Sequence, residues 1–445
     1  MGHVRARLRS DPMKIEVRAR ANQPLGMSPA TFLRDYWQKQ PLLVRGAFPG
    51  FSSPVAPDDL AGLACEESAL SRIVVETPVR ARAQGRGGDT PARSRWELRT
   101  GPFDEAEFAK LPKTHWTLLV QDVDKWDAEV AALLDAFAFL PRWRIDDVMI
   151  SYAEDGGSVG AHVDQYDVFL LQGLGRRRWQ ISTDPAAPTA FRDDVELKLL
   201  AEFTPTHEWT LEPGDMLYLP PGVPHHGVAL GACMTYSIGM RAPSQSDLLG
   251  DFVDHLIETL PEEARYADDD LAPANGDGEI DEAAIARVVR AMPWLRIGDD
   301  GAGGPKHAGR VDRERETGGC SGSVSASSLR TWFGKFITRY RAAQIAAPPP
   351  RRLGDAAFRR AIAGGARVLR NPWSRCAWMR EGRGARLFVA GEAYPCSLAL
   401  ARALGGDRAP TLDGTTDPRD LALLRTLVDA GHFVLARTPR KGGRP

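Results

Sequence analysis

The sequence lacks the long apolar runs that cross a membrane, and its N-terminus has no apolar signal core. A transmembrane helix needs about 18 or more mostly apolar residues, so we expect neither a membrane span nor export. Charge of one sign is also lacking, because 57 Lys and Arg residues offset 58 Asp and Glu residues. Without a net field there is no general attraction for nucleic acid, and we expect no direct nucleic-acid binding.

Cysteine is scarce, with five residues spread over 445 positions and no C-x-x-C pair. An odd, scattered set argues against a disulfide framework and against a structural zinc site. Such thiols are typical of a reducing compartment, so we expect a cytoplasmic protein. The chain is long enough for about two or three folded domains.

The composition changes several times along the chain. Residues 28–245 include short β-rich runs separated by Gly and Pro turns, a pattern typical of an antiparallel sandwich or barrel. Residues 246–345 have apolar residues at helical spacing, but a polar Gly- and Ser-rich stretch over 299–328 is predicted to be a disordered insertion. A Pro-rich linker precedes residues 350–440, where helices and short strands alternate. The arginine-rich residues 1–27 are predicted to be a disordered leader.

Two segments contain the strongest chemical signal. His162 and Asp164 are two positions apart in a segment that resembles a turn leading into a strand, so strand periodicity puts both side chains on one face. Further along, a Pro-Gly-Asp turn, an apolar strand and a Pro-rich bend lead to His225. Two imidazoles and one carboxylate suit Fe(II) and leave open positions for a 2-oxo acid and O2. The sequence therefore predicts a metal bound by His162, Asp164 and His225.

Two alternatives remain open for this metal site. His162 and His225 could be structural histidines inside a barrel, but their spacing and the turn before His225 favour metal binding. His226 is the competing third ligand. We prefer His225 because it comes first after the proline bend, which leaves His226 outside the ligand set.

These two segments, with Gln172-Gly-Leu-Gly-Arg-Arg-Arg-Trp-Gln between them, resemble the JmjC-type ribosomal oxygenases. The resemblance is strong from about Asp147 to Pro243 and weaker, in domain order, over roughly 28 to 440. It implies an α+β protein with a double-stranded β-helix (cupin, JmjC) barrel over 28–245. A helical dimerisation segment over 246–345 and a winged-helix-like domain over 350–440 would follow. The insertion departs from this compact plan.

The strand that follows the first segment contains three consecutive arginines. Alternation places Arg177 on the same face as Trp179 and Ile181, whereas Arg176 and Arg178 point the other way. An inward guanidinium can bind a carboxylate through two hydrogen bonds, although three solvated arginines on an edge strand are the alternative. The resemblance implies that a basic residue here, together with a hydroxyl at the Ser151 position, holds 2-oxoglutarate.

Asp147, Met149 and Ser151 share one face of a second predicted strand. The resemblance implies that Asp147, Met149, Tyr166 and Ser237 line a pocket for a substrate arginine. A carboxylate at its head and apolar walls along its methylenes would suit a guanidinium side chain. The alternative is structural, with Asp147 capping a turn and Met149 belonging to the core.

The combined expectation is a cytoplasmic, dimeric Fe(II)- and 2-oxoglutarate-dependent protein hydroxylase. The resemblance implies that its substrate is an arginine of a large-subunit ribosomal protein. Histidine hydroxylation and lysine demethylation are rival activities with the same cofactors. A rival of another class is a winged-helix regulator with a ligand-sensing cupin, which basic residues near 351–360 and 440–444 could bring to nucleic acid.

Overall fold

The structure, a computed structural model, describes residues 14–20, 23–78, 94–260, 262–263, 265–271, 282–292, 326–339, 346–406, 410, 412 and 417–436. Three expectations fall wholly or partly outside these residues. They concern the first part of the predicted leader (1–13), most of the predicted insertion (299–325) and the basic tail (440–444). No helix in the described part of the chain is long and apolar enough to cross a membrane.

One mixed sheet dominates the described residues before position 241. Its strands are β1 (Glu16–Arg18), β2 (Leu42–Arg45), β3 (Ser71–Thr77), β4 (Arg95–Thr100), β5 (Trp116–Val120), β6 (Ile145–Ala153), β7 (Val168–Ile181), β8 (His207–Leu211), β9 (Met216–Leu219) and β10 (His225–Met240). The order is β1-β2-β9-β7-β10-β6-β5-β3-β4, with β8 paired to the second half of β7. The predicted α+β class with an antiparallel barrel is confirmed.

Besides two 3-10 helices, Leu133–Phe137 and Arg142–Arg144, five short α-helices accompany this sheet within the described residues. They are α1 (Pro29–Asp35), α2 (Pro57–Leu63), α3 (Glu105–Phe108), α4 (Val123–Trp126) and α5 (Ala128–Ala132). Helix α1 begins where the sequence signals it, because the Ser28 side chain accepts a hydrogen bond from the Thr31 N–H and Pro29 occupies the first turn.

The two faces of the sheet bury different cores. The outer face packs on the helices, where Ile150 of β6 and Phe169 of β7 share a core with Phe32 of α1. The inner face encloses a second apolar cluster, to which Leu43, Val168, Leu170, Trp179, Ile181, Leu211, Leu217 and Leu219 belong. Neighbouring residues of β7 alternate between the two cores, as strand geometry requires. The inner cluster adjoins the polar residues of the candidate site.

The prediction of a disordered leader over 1–27 is wrong for part of that range. Strand β1 lies inside it and pairs in parallel with β2, from Glu16 opposite Leu43 to Arg18 opposite Arg45. An ion pair of 2.8 Å between Arg45 and Glu16 adds to this pairing. The arginine-rich composition hid the strand, because strands on the edge of a sheet commonly contain charged residues.

Three helices follow the barrel: α6 (Gln245–Ile257), α7 (Glu282–Ala291) and α8 (Ala326–Thr338). Helices α6 and α8 pack together, with the Trp332 and Phe252 rings 4.9 Å apart and Trp332 Nε1 donating to Asp251 Oδ1 at 2.9 Å. The far end of α8 contacts the C-terminal domain, where the Gly391 N–H donates to Thr338 Oγ1. The boundaries of the segment predicted over 246–345 remain a prediction.

The C-terminal part contains a two-stranded and a three-stranded sheet. Its elements are α9 (Asp355–Ala363), β11 (Arg367–Arg370), β12 (Cys376–Glu381), β13 (Gly384–Val389), β14 (Glu392–Cys396), α10 (Leu398–Gly405), α11 (Pro418–Asp429) and β15 (Phe433–Ala436). Strand β11 pairs with β15, and β12, β13 and β14 form an antiparallel sheet. This part has its own apolar core, as an independent domain does, and the core includes Phe358, Leu387, Leu424 and Phe433.

Candidate active site

The three predicted metal ligands converge where the loop after β6 meets the start of β10. His162 Nε2 lies 3.9 Å from Asp164 Oδ1, and His225 Nε2 lies 3.6 Å from Asp164 Oδ2. One ligand atom from each residue lies within 4.8 Å of the others. Within the described ranges, this is the only such group of His, Cys, Asp and Glu residues. The donor atoms fit a single metal ion.

Backbone pairing, not strand periodicity, produces this convergence. Strand β7 begins only at Val168, so the expectation that His162 and Asp164 lie at a strand's start is wrong. Instead, His162 and His225 pair as an isolated bridge, and each N–H donates to the other's carbonyl at 3.0 Å. Gly160 permits the preceding turn, because its φ of +79° is left-handed and a Cβ would lie 2.6 Å from a Leu199 methyl group.

Hydrogen bonds also orient the two imidazole rings. His162 Nδ1 lies 2.9 Å from the Gly160 carbonyl, and His225 Nδ1 lies 2.9 Å from the Val223 carbonyl. A carbonyl only accepts, so each Nδ1 carries the proton and donates. Each ring therefore turns its Nε2 atom toward Asp164. Metal-binding histidines are commonly held in this way.

Burial separates the roles of His225 and its neighbour. His225 is 2% exposed, and burial, reinforced by the proximity of His162, holds its pKa well below the ordinary value. The ring is therefore neutral and available as a ligand. His226 points away from the cluster, with its ring 6.2 Å from that of Phe203. Burial, with smaller contributions from His162 and Arg178, lowers the pKa of His226 to about 4.

The Asp164 carboxylate is costly to bury without a cation. Burial raises its pKa, although His162 and a hydrogen bond from Tyr166 act in the opposite direction. A bound metal ion would relieve this cost by pairing with the carboxylate. Tyr166 itself is 40% exposed, so its ring lies at the rim of the site.

Arg177 is buried and incompletely paired. It is 3% exposed, and its Nε and Nη2 atoms are buried without a hydrogen-bond partner among the described residues. Its Cζ lies 5.8 Å from the centroid of the Trp179 ring, which lies 6.0 Å from the ring of His225. A buried guanidinium with free donors is unfavourable unless an anion binds it. The predicted alternation is confirmed, because Arg176 is exposed.

Ser151 lies on the inner face of β6, opposite Thr235 of β10. It is 5% exposed, and its hydroxyl is 3.5 Å from the Thr235 carbonyl, which is a long hydrogen bond. Met149 lies opposite Ser237, and Asp147 lies opposite Gly239 in the same register. The structure therefore brings the three predicted β6 residues and Ser237 to one face of the sheet.

Asp147 is a buried carboxylate in an acidic environment. It is 7% exposed, and its Oδ2 accepts a hydrogen bond of 3.1 Å from the Asp122 N–H. Burial, reinforced by Asp122, Asp146 and Asp124, raises its pKa to about 7, and Lys125 opposes the shift. Such a group gains strongly from a cation brought to it.

Comparisons with known proteins match the middle and the C-terminal part of the chain. A JmjC domain model matches residues 132–248, which include all the predicted site residues, and a ROXA-like winged-helix model matches residues 325–433. The ribosomal protein uL16 3-hydroxylase of Escherichia coli is 32% identical over 90% of this chain and 96% of its own length. This chain belongs to the JmjC ribosomal oxygenases.

Other ribosomal oxygenases agree with this assignment. Ribosomal oxygenase 2 of Bos taurus is 29% identical over 46% of each chain. The crystal structure of E. coli YcfD superposes with a TM-score of 0.72 at 31% identity, covering 92% of this chain and 99% of YcfD. A second YcfD structure, with cobalt and 2-oxoglutarate, has a TM-score of 0.69 at 31% identity, with coverage of 92% and 99%. The predicted winged-helix-like C-terminal domain is confirmed.

Two polar groups of this ribosomal oxygenase escaped the sequence interpretation. Thr117 lies on β5 opposite Ala153, is fully buried, and has a hydroxyl without a partner among the described residues. Asp122 adopts a left-handed φ of 59°, and its N–H is directed at Asp147. A threonine in an ordinary strand and an aspartate in a turn carry no sequence signal of such roles.

Proposed function

We propose that this protein is an Fe(II)- and 2-oxoglutarate-dependent hydroxylase of an arginine side chain in a large-subunit ribosomal protein, with uL16 as the first candidate. A His-Asp-His cluster beside a buried arginine with unpaired donors is the observation that carries the proposal. Two E. coli relatives, a ribosomal protein uL16 3-hydroxylase and YcfD with cobalt and 2-oxoglutarate, support the same substrate and cosubstrate.

His162, Asp164 and His225 would hold the metal. Two neutral nitrogen ligands and one carboxylate on one side of the ion are typical of Fe(II) oxygenases and leave the other positions open. The Nδ1 hydrogen bonds fix both rings, and the Asp164 carboxylate supplies the negative charge. With both bound, iron and 2-oxoglutarate supply the oxidation in which O2 converts a C–H group to C–OH while 2-oxoglutarate becomes succinate and CO2.

Arg177 and Ser151 would hold 2-oxoglutarate. The unpaired Nε and Nη2 donors of Arg177 match the two oxygens of a distal carboxylate. The Ser151 hydroxyl, whose hydrogen bond to the Thr235 carbonyl is long, can turn to the same anion. The Trp179 ring lies near both the Arg177 guanidinium and the His225 ring. A dicarboxylate bound at Arg177 can therefore extend toward the metal ligands.

Asp147, Met149, Tyr166 and Ser237 would receive the substrate side chain. A guanidinium offers Asp147 planar paired donors and a full charge, which is what this buried acid lacks. Met149 and the Tyr166 ring would contact its methylenes and place an aliphatic carbon near the metal. A histidine side chain is the competing substrate, but a neutral imidazole gains less from the acid. Methyl-lysine cannot make the two-point contact.

We further propose that the enzyme is a homodimer. Leu249, Val253 and Ile257 recur at every fourth position of α6 and are 64%, 42% and 61% exposed. An apolar stripe at this spacing suits burial against the same helix of a second copy. A ribosomal protein substrate would also imply a cytoplasmic enzyme, and direct nucleic-acid binding is not required for this reaction.

Matched peptides test the substrate. Peptides with one target Arg, or with His or methyl-lysine in its place, are incubated with the protein, Fe(II) and 2-oxoglutarate, and oxygen incorporation is followed by mass spectrometry. We expect hydroxylation of the Arg peptide only, with Asp147→Ala impairing it more than uncoupled succinate formation. Preferential oxidation of the His peptide, demethylation, or an absence of succinate would contradict the proposal; the last outcome would favour a ligand-sensing regulator.

A further inference from the structure

The winged-helix domain contacts the barrel directly behind Asp147. Asp146 and Asp147 are neighbours on β6 at a register shift in its pairing with β10, and their side chains have different partners. Arg375, in the loop between β11 and β12, forms an ion pair with Asp146, and each side chain is only 13% exposed. Lys125 Nζ donates to the Asp146 carbonyl at 3.3 Å. Lys125 of the barrel and Arg375 of the winged-helix domain therefore both hold Asp146, the residue next to Asp147.

Helix α4 extends these contacts to Asp147. Lys125, with a side chain 5% exposed, pairs with Asp124 and lies 3.8 Å from Asp122. Asp124 Oδ1 accepts a hydrogen bond of 2.8 Å from the Val148 N–H, which fixes the start of β6. The Asp122 N–H donates to Asp147 Oδ2. The position of Asp147 thus depends on α4 and on the first residues of β6 together.

Aromatic contact adds to the domain junction. The Trp373 ring, two residues before Arg375, meets the ring of Trp126 at the end of α4 edge to face, with centroids 5.7 Å apart. A cavity of about 220 Å³ lies beside this contact, lined by α4 residues such as Asp124 and by Val368 of β11. None of its lining residues is a candidate metal ligand. The junction is separate from the metal site.

Charge makes the Arg375 contact important for Asp147. Four carboxylates, those of Asp122, Asp124, Asp146 and Asp147, share this region with Lys125 and Arg375, and Arg142 and Arg370 line the same cavity as Asp146. Loss of Arg375 would remove one ion pair from the mostly buried Asp146 carboxylate. A mostly buried charge that loses an ion pair gives up part of its stabilisation, and the backbone that carries it shifts or admits water. Here the shifted backbone would be that of Asp147.

We infer that Arg375 is a positioning residue for the substrate: by holding Asp146, the winged-helix domain keeps the adjacent Asp147 carboxylate directed into the barrel, where it meets the substrate cation. The identity of that cation rests on the proposed arginine substrate. Arg375 does not touch the substrate in this arrangement. The C-terminal domain thereby contributes to substrate selection from outside the barrel.

Four variants test this in the full-length protein. Arg375→Ala and Asp146→Asn each remove the ion pair, and the Asp146→Arg/Arg375→Asp double variant restores it with reversed charges. Arg359→Ala is the matched control, because Arg359 pairs with Asp355 on the exposed side of the winged-helix domain at 2.9 Å. The measurements are the KM and kcat for the Arg peptide, the Kd for 2-oxoglutarate, and hydrogen exchange of the Val148 amide.

Both single variants should raise the peptide KM by about tenfold while the 2-oxoglutarate Kd changes by less than about twofold. The double variant should recover most of the loss, and the control should change nothing. Val148 exchange should accelerate in the single variants, a readout that does not depend on the substrate. Unchanged KM and exchange in Asp146→Asn would overturn the inference, even if Arg375→Ala fails to fold. Failure of the wild-type protein to hydroxylate the Arg peptide would instead refute the proposed substrate.

Discussion

Arg177 and Asp147 mark two buried ends of the site that are opposite in charge, since they pair with Ala229 and Gly239, ten positions apart on β10. At one end, Arg177 is buried with two donor atoms unpaired. At the other end, Asp147 is buried among further carboxylates that raise its pKa to about 7. The His162 and His225 rings lie in contact with each other, their centroids 4.2 Å apart, beside the Arg177 end. Burying either charge without a partner is unfavourable, and a ligand of the opposite charge would relieve this cost at each end.

This difference shows how one barrel can bind two ligands of opposite charge at different positions. An anion is attracted to the Arg177 end and repelled by the acidic end, and a cationic side chain has the reverse preference. A dicarboxylate and a guanidinium therefore need not compete for one position. The same charges that destabilise the free protein would order the two ligands about the metal.

The largest effect is expected from removing a metal ligand, because neither the cosubstrate nor the substrate can react without the metal. His225→Ala should abolish metal binding and turnover, because only two ligands would remain. His226→Ala, on the opposite face of the same strand, is the matched control and should leave both intact. Metal content and succinate formation report the result. Loss of metal in the His226 variant alone would reverse the ligand assignment.

At the positive end, Arg177→Ala should weaken 2-oxoglutarate binding at least about tenfold, because truncating a buried charge pair costs about 2–5 kcal/mol. Arg176→Ala removes an exposed arginine from the other face of β7 and should change the Kd little. Titration calorimetry with a redox-inert metal measures the Kd without turnover. Equal losses in both variants would contradict the assignment of distinct faces.

At the negative end, kcat/KM for the Arg peptide should depend on pH. Only the ionised Asp147 offers a charge, and its pKa of about 7 means that it is protonated below that value. The rate should therefore fall by up to about tenfold per unit as pH drops below 7, and level off above it. Asp147→Asn should remove this dependence while uncoupled turnover keeps its own profile. An unchanged profile in the variant would assign the titration elsewhere.

The smallest effect is expected at Thr117. Its buried, unpaired hydroxyl costs about 1–3 kcal/mol of stability, so Thr117→Val should raise the melting temperature of the ligand-free protein. If the hydroxyl also meets 2-oxoglutarate, the same variant should weaken binding by several fold. Thermal unfolding with and without 2-oxoglutarate measures both quantities. A stabilised variant with unchanged affinity would place Thr117 outside the cosubstrate pocket.

Strand periodicity alone predicts the direction of side chains correctly where one face of the strand is clearly apolar. It separated Arg177 from Arg176, and it put Asp147, Met149 and Ser151 together on β6. The ligand set of His162, Asp164 and His225 also meets in space, but through backbone pairing and not through strand periodicity. A histidine pair joined by backbone hydrogen bonds between distant segments has no local signature.

Other features depend on contacts that no local pattern encodes. Strand β1 was missed because its pairing with β2 outweighs its charged composition. The Arg375 and Asp146 pair joins residues 229 positions apart, in different domains. Asp122 has a left-handed backbone that only its tertiary surroundings determine. Composition and spacing describe one segment at a time, whereas each of these features depends on contacts between segments that are distant in the sequence.

The reciprocal hydrogen bonds between the His162 and His225 backbones bear on how the site can change over evolutionary time. They join the loop to the strand through main-chain atoms, which every residue type except proline supplies in full. A side chain at either position can therefore be exchanged without separating the two segments. This backbone pairing can stay unchanged while other ligand sets, and hence other metals, replace the present one in a folded barrel.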